Sequence, residues 1–198
     1  MPFATLALDS GAFSASRQGD PICLQSYIAI AKVIRDSNPK VREIFNLDVI
    51  GDHEQSRVNQ EMMIGQGIDP IPVFHHGSPW HVLSEMLARF PKVALGGVAR
   101  MRGTTRMRWL DKCFALGWPC LYHGLGVSDE TTLMRVPFHS VDTAAYTLGP
   151  GFGRWKQFGG AYVPARGVHR WEGEIKAWLE LQNRVRDRWA TTWSAWNR

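Results

Sequence analysis

Ile71-Pro72-Val73-Phe74-His75-His76-Gly77 opens a stretch that closes at Val93-Ala94-Leu95-Gly96-Gly97, and its reading decides the fold. Two short apolar runs, each ending in polar or glycine residues, flank a segment over residues 80–90 with helical spacing. A strand, a helix and a second strand in that order form a crossover unit, because parallel strands need a connection long enough to return to the same end of the sheet. Reading outward, the rhythm repeats. Upstream, an apolar run over residues 3–8 ends at Asp9-Ser10-Gly11 and is followed by a helix over 24–37. A run over 41–47 ends at Asp48 before a helix over 54–65. Downstream, a helix over 104–116 leads to a run at 120–122 that ends at His123-Gly124. A short helix over 130–134 then precedes a run over 138–141 that ends at Asp142. Six strand-to-helix units predict an α/β fold built on a parallel sheet. The strands are short and nearly all apolar, as strands covered on both faces are. The pattern fits both a barrel and a doubly wound sheet.

The last fifty residues read differently. Gly149-Pro150-Gly151-Phe152-Gly153 reads as a loop and residues 161–164 as a short strand. Residues 171–196 carry a helical pattern whose largely apolar stripe, Trp171, Ile175, Trp178, Leu179, Gln182 and Val185, predicts a face packed on the body of the domain. We take residues 1–198 as one domain, with residues 169–197 as a C-terminal helix on it.

Composition narrows the class. A hydrophobic fraction of 44% is that of a globular chain. No apolar run approaches the roughly 18 residues that span a bilayer, and the start Met1-Pro2-Phe3-Ala4 has no signal-peptide pattern. Cytoplasmic residence and no membrane partner are therefore expected. Cys23, Cys113 and Cys120 form no CxxC pair, which argues against a disulfide framework or a zinc cluster. The net charge of +5 and pI near 9.4 suit a polyanionic partner. Arg100, Arg102, Arg106 and Arg108 cluster, and Arg184, Arg186 and Arg188 alternate.

In parallel α/β folds chemistry gathers where strands end. The candidates there are Asp9, Ser10, Asp48, Asp52, His75, His76, His123, His139 and Asp142. Carboxylates converging from separate strand ends shift one another's ionisation, which suits a nucleophile paired with a general acid/base. Taken alone, Asp9 in an Asp-Ser-Gly turn reads as a turn or capping residue. Gly96-Gly97 reads as a tight turn that also lets a flat ligand approach the backbone.

In order, these segments resemble the tRNA-guanine transglycosylase superfamily, above all its shorter phage and bacterial branch that inserts 7-deazaguanines into DNA. Leu8-Asp9-Ser10-Gly11-Ala12-Phe13-Ser14 resembles the family's DSGGFQ segment, and Phe45-Asn46-Leu47-Asp48 the strand with the base-reading aspartate. Pro72 to Gly77 resembles the VQG strand end, with histidine where the tRNA enzymes have glutamine, and Val93 to Ala99 resembles AVGGLAVG. Gly124-Leu125-Gly126-Val127 and then Val141-Asp142-Thr143 resemble the GVG stretch and the strand of the nucleophilic aspartate. The agreement covers roughly residues 5 to 147.

The resemblance implies a TIM-type (β/α) barrel in which Asp142 is the nucleophile, Asp9 the general acid/base, and Asp48 the acceptor for the Watson–Crick edge of a guanine-like base. It places Gly96 and Gly97 against the base, His76 where a side chain reads its carbonyl, and Phe13 and Ser10 beside it. Arg100, Arg102, Arg106 and Arg154 would hold phosphates, a salt-dependent and sequence-blind contribution. The partners implied are a 7-deazaguanine base and nucleic acid, DNA favoured over tRNA, whose target nucleotide is turned out of its helix or presented in a loop. The zinc segment of the tRNA enzymes is absent, so neither metal nor cofactor is expected. The chain also starts almost at the Asp9 strand, and a closed barrel takes about 250 residues, or about 200 at the low end. An incomplete barrel, closure by the C-terminal segment, and closure by a partner chain or second copy all stay open. Two other functions compete: a catalytically idle nucleic-acid- or partner-binding barrel, and a metal-dependent hydrolase using His75, His76, His123 and aspartates.

Overall fold

The computed structural model describes residues 5–155, 158, 163–164 and 169–196. It is an α/β protein with parallel sheets and a long C-terminal helix. The chain divides into two compact units, Met1–Gly97 and Val98–Arg198.

In the first unit, β1 (Leu6–Leu8), β2 (Val41–Phe45) and β3 (Pro70–Ile71) lie side by side in parallel. Between β1 and β2 come α1 (Ala12–Gln18) and α2 (Leu24–Ser37), and α3 (His53–Gly65) joins β2 to β3. Pro72 separates β3 from β4 (Val73–His75), since a proline has no N–H for the ladder. The chain runs on through it: Asn46 N–H donates to the Ile71 carbonyl at 2.9 Å and Ala94 N–H to the Pro72 carbonyl at 2.8 Å. After α4 (Trp80–Arg89), β5 (Lys92–Gly96) pairs in parallel with β4, His75 standing opposite Gly96. All five residues of β5 are buried, as the apolar reading expected. On β1, however, Leu6 is 45% exposed, because β1 ends the strand order of its sheet. Residues 3 and 4 of the expected first strand lie outside the described residues.

The helices follow their apolar spacing. Tyr27, Ile28 and Ala31 of α2 pack with Ile44, Leu47, Met63 and Ile68 in one core. Asp52, a strand-end candidate for chemistry, caps α3 instead, its carboxylate accepting Gln55 N–H at 2.9 Å. Helix α1 had no sequence signal, because seven residues bury only Ala12 and leave no stripe to read.

The second unit begins with a 3-10 turn at Val98–Arg100 and then α5 (Gly103–Gly117). Next, β6 (Leu121–Gly124) pairs in parallel with β7 (Ser140–Val141) around α6 (Glu130–Arg135). Tyr122 donates from Oη to the Cys113 carbonyl at 2.8 Å, and Phe114 packs on Tyr122 and Phe138 at 4.8 and 5.3 Å between ring centres. The expected loop over 149–153 is a correction: a short 3-10 turn and α7 (Leu148–Gly151) lead into β8 (Arg154–Trp155). β8 pairs antiparallel with β9 (Val163–Pro164), while residues 161–162 lie outside the described ones.

The C-terminal helix α8 (His169–Trp196) is where expected, but it buries the expected face only in part, Trp178 and Val185 being half-buried. Glu174, Ala177 and Leu181 are buried, whereas Trp171, Ile175 and Leu179 are 39, 54 and 53% exposed. Small residues decide this. The ring of Trp155 lies against Gly173, where a Cβ would come within 2.6 Å of it, and Ala177 follows one turn later. Further along, Trp189 donates from Nε1 to the Leu133 carbonyl at 2.9 Å and Arg184 pairs with Glu130. Among the described residues no helix is long and apolar enough to cross a membrane.

Candidate active site

In the first unit the segment after β2 is held from several sides. Asn59 Nδ2 donates to the Leu47 carbonyl at 2.8 Å, and Val49 N–H donates to Ser56 Oγ at 2.8 Å. These bonds fix the backbone on either side of Asp48, whose side chain is only 8% exposed. Its partner is His75 at the end of β4: Nε2 lies 2.5 Å from Asp48 Oδ2. The His75 ring can lie there because of what stands beside it on β5. A Cβ on Gly96 would sit 2.5 Å from that ring. The flat group against Gly96 is thus the protein's own imidazole. Gly96→Ala is expected to push His75 off Asp48, and loss of a hydrogen bond to a buried charge costs about 1.5–3 kcal/mol. Urea unfolding would measure it; an unchanged midpoint would contradict this seating.

Asp48 also lines a cavity of about 300 Å³, walled by Ala12, Ala15, Pro21, Ile22, Leu47 and Ile50. That size lies at the lower limit of small-molecule sites, about 300–1,000 Å³. Mostly apolar walls with one buried carboxylate suit a flat ring carrying N–H donors. Beside it, Tyr27 donates from Oη to the Phe45 carbonyl at 2.7 Å. Burial first, then the charges of Asp9 and Asp48, push its phenol well above its usual range.

The other predicted base contacts stand elsewhere in the unit. Ser10 is buried and its Oγ accepts Ala12 N–H at 3.3 Å, so it serves the start of α1. Asp9 and His76 are exposed, and Phe13 is 51% exposed. Gly97 makes the turn after β5 with φ of 81°, and its position lies against His76. None of Ser10, Phe13, His76, Gly96 and Gly97 lines the cavity. His75 is the residue that reaches Asp48, and the pairing of His75 with Gly96 across β4 and β5 is what the sequence did not print.

The second unit holds a separate constellation. His123 on β6 stands opposite Ser140 on β7. Asp142 follows Ser140 by two residues, so both project from one face of the strand. The imidazole bridges them: Nδ1 is 2.8 Å from Ser140 Oγ and Nε2 is 3.3 Å from Asp142 Oδ1. The same Oδ1 accepts Gly126 N–H at 3.0 Å, which the left-handed backbone of Gly126 at φ 68° aims at it. His123 is buried, while the Asp142 side chain is 58% exposed. Partial burial works against ionisation of Asp142, but the His123 hydrogen bond, the Gly126 N–H and the His123 charge outweigh it. The carboxyl is held below the usual carboxylate range. A depressed folded value contributes stability that is present above the unfolded value and is lost as pH falls through the folded one. The stability difference between wild type and Asp142→Asn is therefore expected to be largest near neutral pH and to shrink in acid. Urea melts across pH would show it, and a difference that grows in acid would contradict it.

The chain matches no family model, no curated protein and no solved structure.

The arginines divide. Arg100 and Arg102 are exposed near the start of the second unit. Arg106 is half-buried in an ion pair with Asp129 at 2.9 Å, and Asp129 in turn caps α6. Arg154 is exposed, with its guanidinium 5.7 Å from the Phe152 ring centre. Exposed His139 donates its N–H to the Tyr122 carbonyl at 2.9 Å. Among the described residues no group of three or more His, Cys, Asp and Glu side chains is arranged to hold a metal ion.

Proposed function

We propose that this chain is a base-exchange transglycosylase acting on nucleic acid, of the kind its strand ends resemble, replacing guanine with a 7-deazaguanine derivative. The observation that carries this reading is the Asp142 carboxylate, kept ionised by His123 and Gly126, whose two donors both meet the same oxygen, Oδ1. Such a group is a nucleophile rather than an acid. One oxygen of Asp142 attacks C1′ of the target nucleotide as the bond from C1′ to the base nitrogen breaks. The bond's electrons pass to the departing guanine, which takes a proton from the Asp9 carboxyl. The incoming 7-deazaguanine returns that proton to Asp9, and its ring nitrogen displaces Asp142 from C1′. The resemblance gives Asp48, buried in the first unit, the role of acceptor for N–H groups of the base.

The parallel strands suit a TIM-type barrel. In the first unit their neighbours follow chain order, β1-β2-β3 and then β4-β5, without the reversal that marks a doubly wound sheet. DNA is the favoured polymer over tRNA, with exposed Arg100, Arg102 and Arg154 on phosphates, and a second copy or partner subunit is compatible with the exposed β1. The test is exchange of labelled guanine. DNA and RNA carrying radiolabelled guanine are incubated with the protein and an unlabelled 7-deazaguanine base. Release of label that needs both Asp142 and Asp48 supports the reading. Salt-sensitive binding with no release from either polymer would replace it with the idle binding barrel.

A further inference from the structure

The Ser140–His123–Asp142 chain carries more than the charge of Asp142. An ionised carboxylate only accepts, so the imidazole nitrogen facing it must carry the proton. That nitrogen is Nε2, 3.3 Å from Asp142 Oδ1. In the neutral ring Nδ1 is then an acceptor, and the group it faces at 2.8 Å is the Ser140 hydroxyl, which donates. His123 is buried between them, so its ring has little room to turn. The second donor to the same carboxylate oxygen, Gly126 N–H, comes from a turn whose φ of 68° favours glycine. Both donors thus converge on Oδ1.

We propose that His123 is a positioning residue for Asp142: Ser140 holds the far side of its ring at Nδ1, and Nε2–H together with Gly126 N–H clamps one carboxylate oxygen so that the other is presented for reaction. The role resembles that of the group that orients a catalytic base in a triad, applied here to the nucleophile. Among the described residues His123 is the titratable side chain that reaches the Asp142 carboxylate. The inference rests on Asp142 being the nucleophile of the preceding reading, but its first readout does not need turnover.

That readout is the carboxyl titration of Asp142, followed by 13C NMR in the intact protein and in His123→Ala, His123→Gln and Ser140→Ala. Without His123, burial is opposed only by the backbone N–H groups of Gly126 and of Asp142 itself, so the titration is expected to move to higher pH. The Gln amide still donates and should keep it low, whereas Ser140→Ala, which removes the bond that holds the ring at Nδ1, should move it part of the way. In base exchange, His123→Ala is expected to lower kcat by about 100-fold, the cost of a misplaced reacting group, with KM little changed. The acid limb of its pH profile should move with the titration, and His123→Gln should restore much of kcat. An unmoved titration in folded His123→Ala, or a His123→Gln no better than His123→Ala, would overturn the proposal. If His123→Ala does not fold, Ser140→Ala and His123→Gln decide it. If the intact protein exchanges no base, that failure falls on the transglycosylase reading, while the titration still decides whether His123 positions Asp142.

Discussion

Asp142→Asn is expected to lower base exchange by at least about 10⁴-fold, the scale seen when a nucleophile is removed from a preorganised site. The amide is nearly isosteric, and its oxygen can still accept from Gly126 N–H and His123 Nε2, the two donors on Oδ1. Polymer binding should therefore persist. The side chain is 58% exposed, so little of the fold depends on its charge. Single-turnover exchange with saturating polymer would measure the step itself. A loss of only a few fold would mean that another group attacks C1′ and that the His123–Asp142 contact serves stability.

The second large effect concerns the first unit. His75→Leu leaves the Asp48 carboxylate, 8% exposed, without the imidazole on its Oδ2. Breaking a buried pair by removing one partner costs about 3–5 kcal/mol. Because His75 keeps 14% of its side chain in contact with solvent, the lower end of that range applies. Asp48→Leu alone should be comparably harmful, and the double replacement milder than the two singles summed, since no polar group is then left unpaired. Denaturant unfolding of all four proteins would establish the coupling. Singles costing below about 1 kcal/mol would show that water reaches Asp48 freely, as for an exposed pair.

Much of the fold was legible because apolar spacing survives in the packing. Helix α2 lies over the residues its pattern marked, and α3 to α6 differ from theirs by a residue or so. What was not legible depends on pairs of residues far apart in sequence. Asp142 meets His123 because β6 and β7 pair with His123 opposite Ser140. Asp48 meets His75 because Gly96, across from it on β5, has no side chain. Of two adjacent histidines the resemblance points to His76, whereas strand register turns His75 to the Asp48 carboxylate. Arg106 read as a phosphate ligand, yet the cap of α6 at Asp129 claims it. On α8 the large apolar residues suggested the buried face, whereas close approach of Trp155 selects Gly173 and brings Ala177 and Leu181 inside. Hydrophobicity alone does not reveal where small residues let elements touch.

The most direct test of base exchange through Asp142 is covalent trapping. The protein is incubated with guanine-containing DNA or RNA, with and without a 7-deazaguanine base, and run on a denaturing gel beside Asp142→Asn. The account predicts a shifted band that joins protein to polymer, is absent in Asp142→Asn and fades when the incoming base completes the exchange. No band with either polymer, under conditions where the protein binds it, would contradict the account.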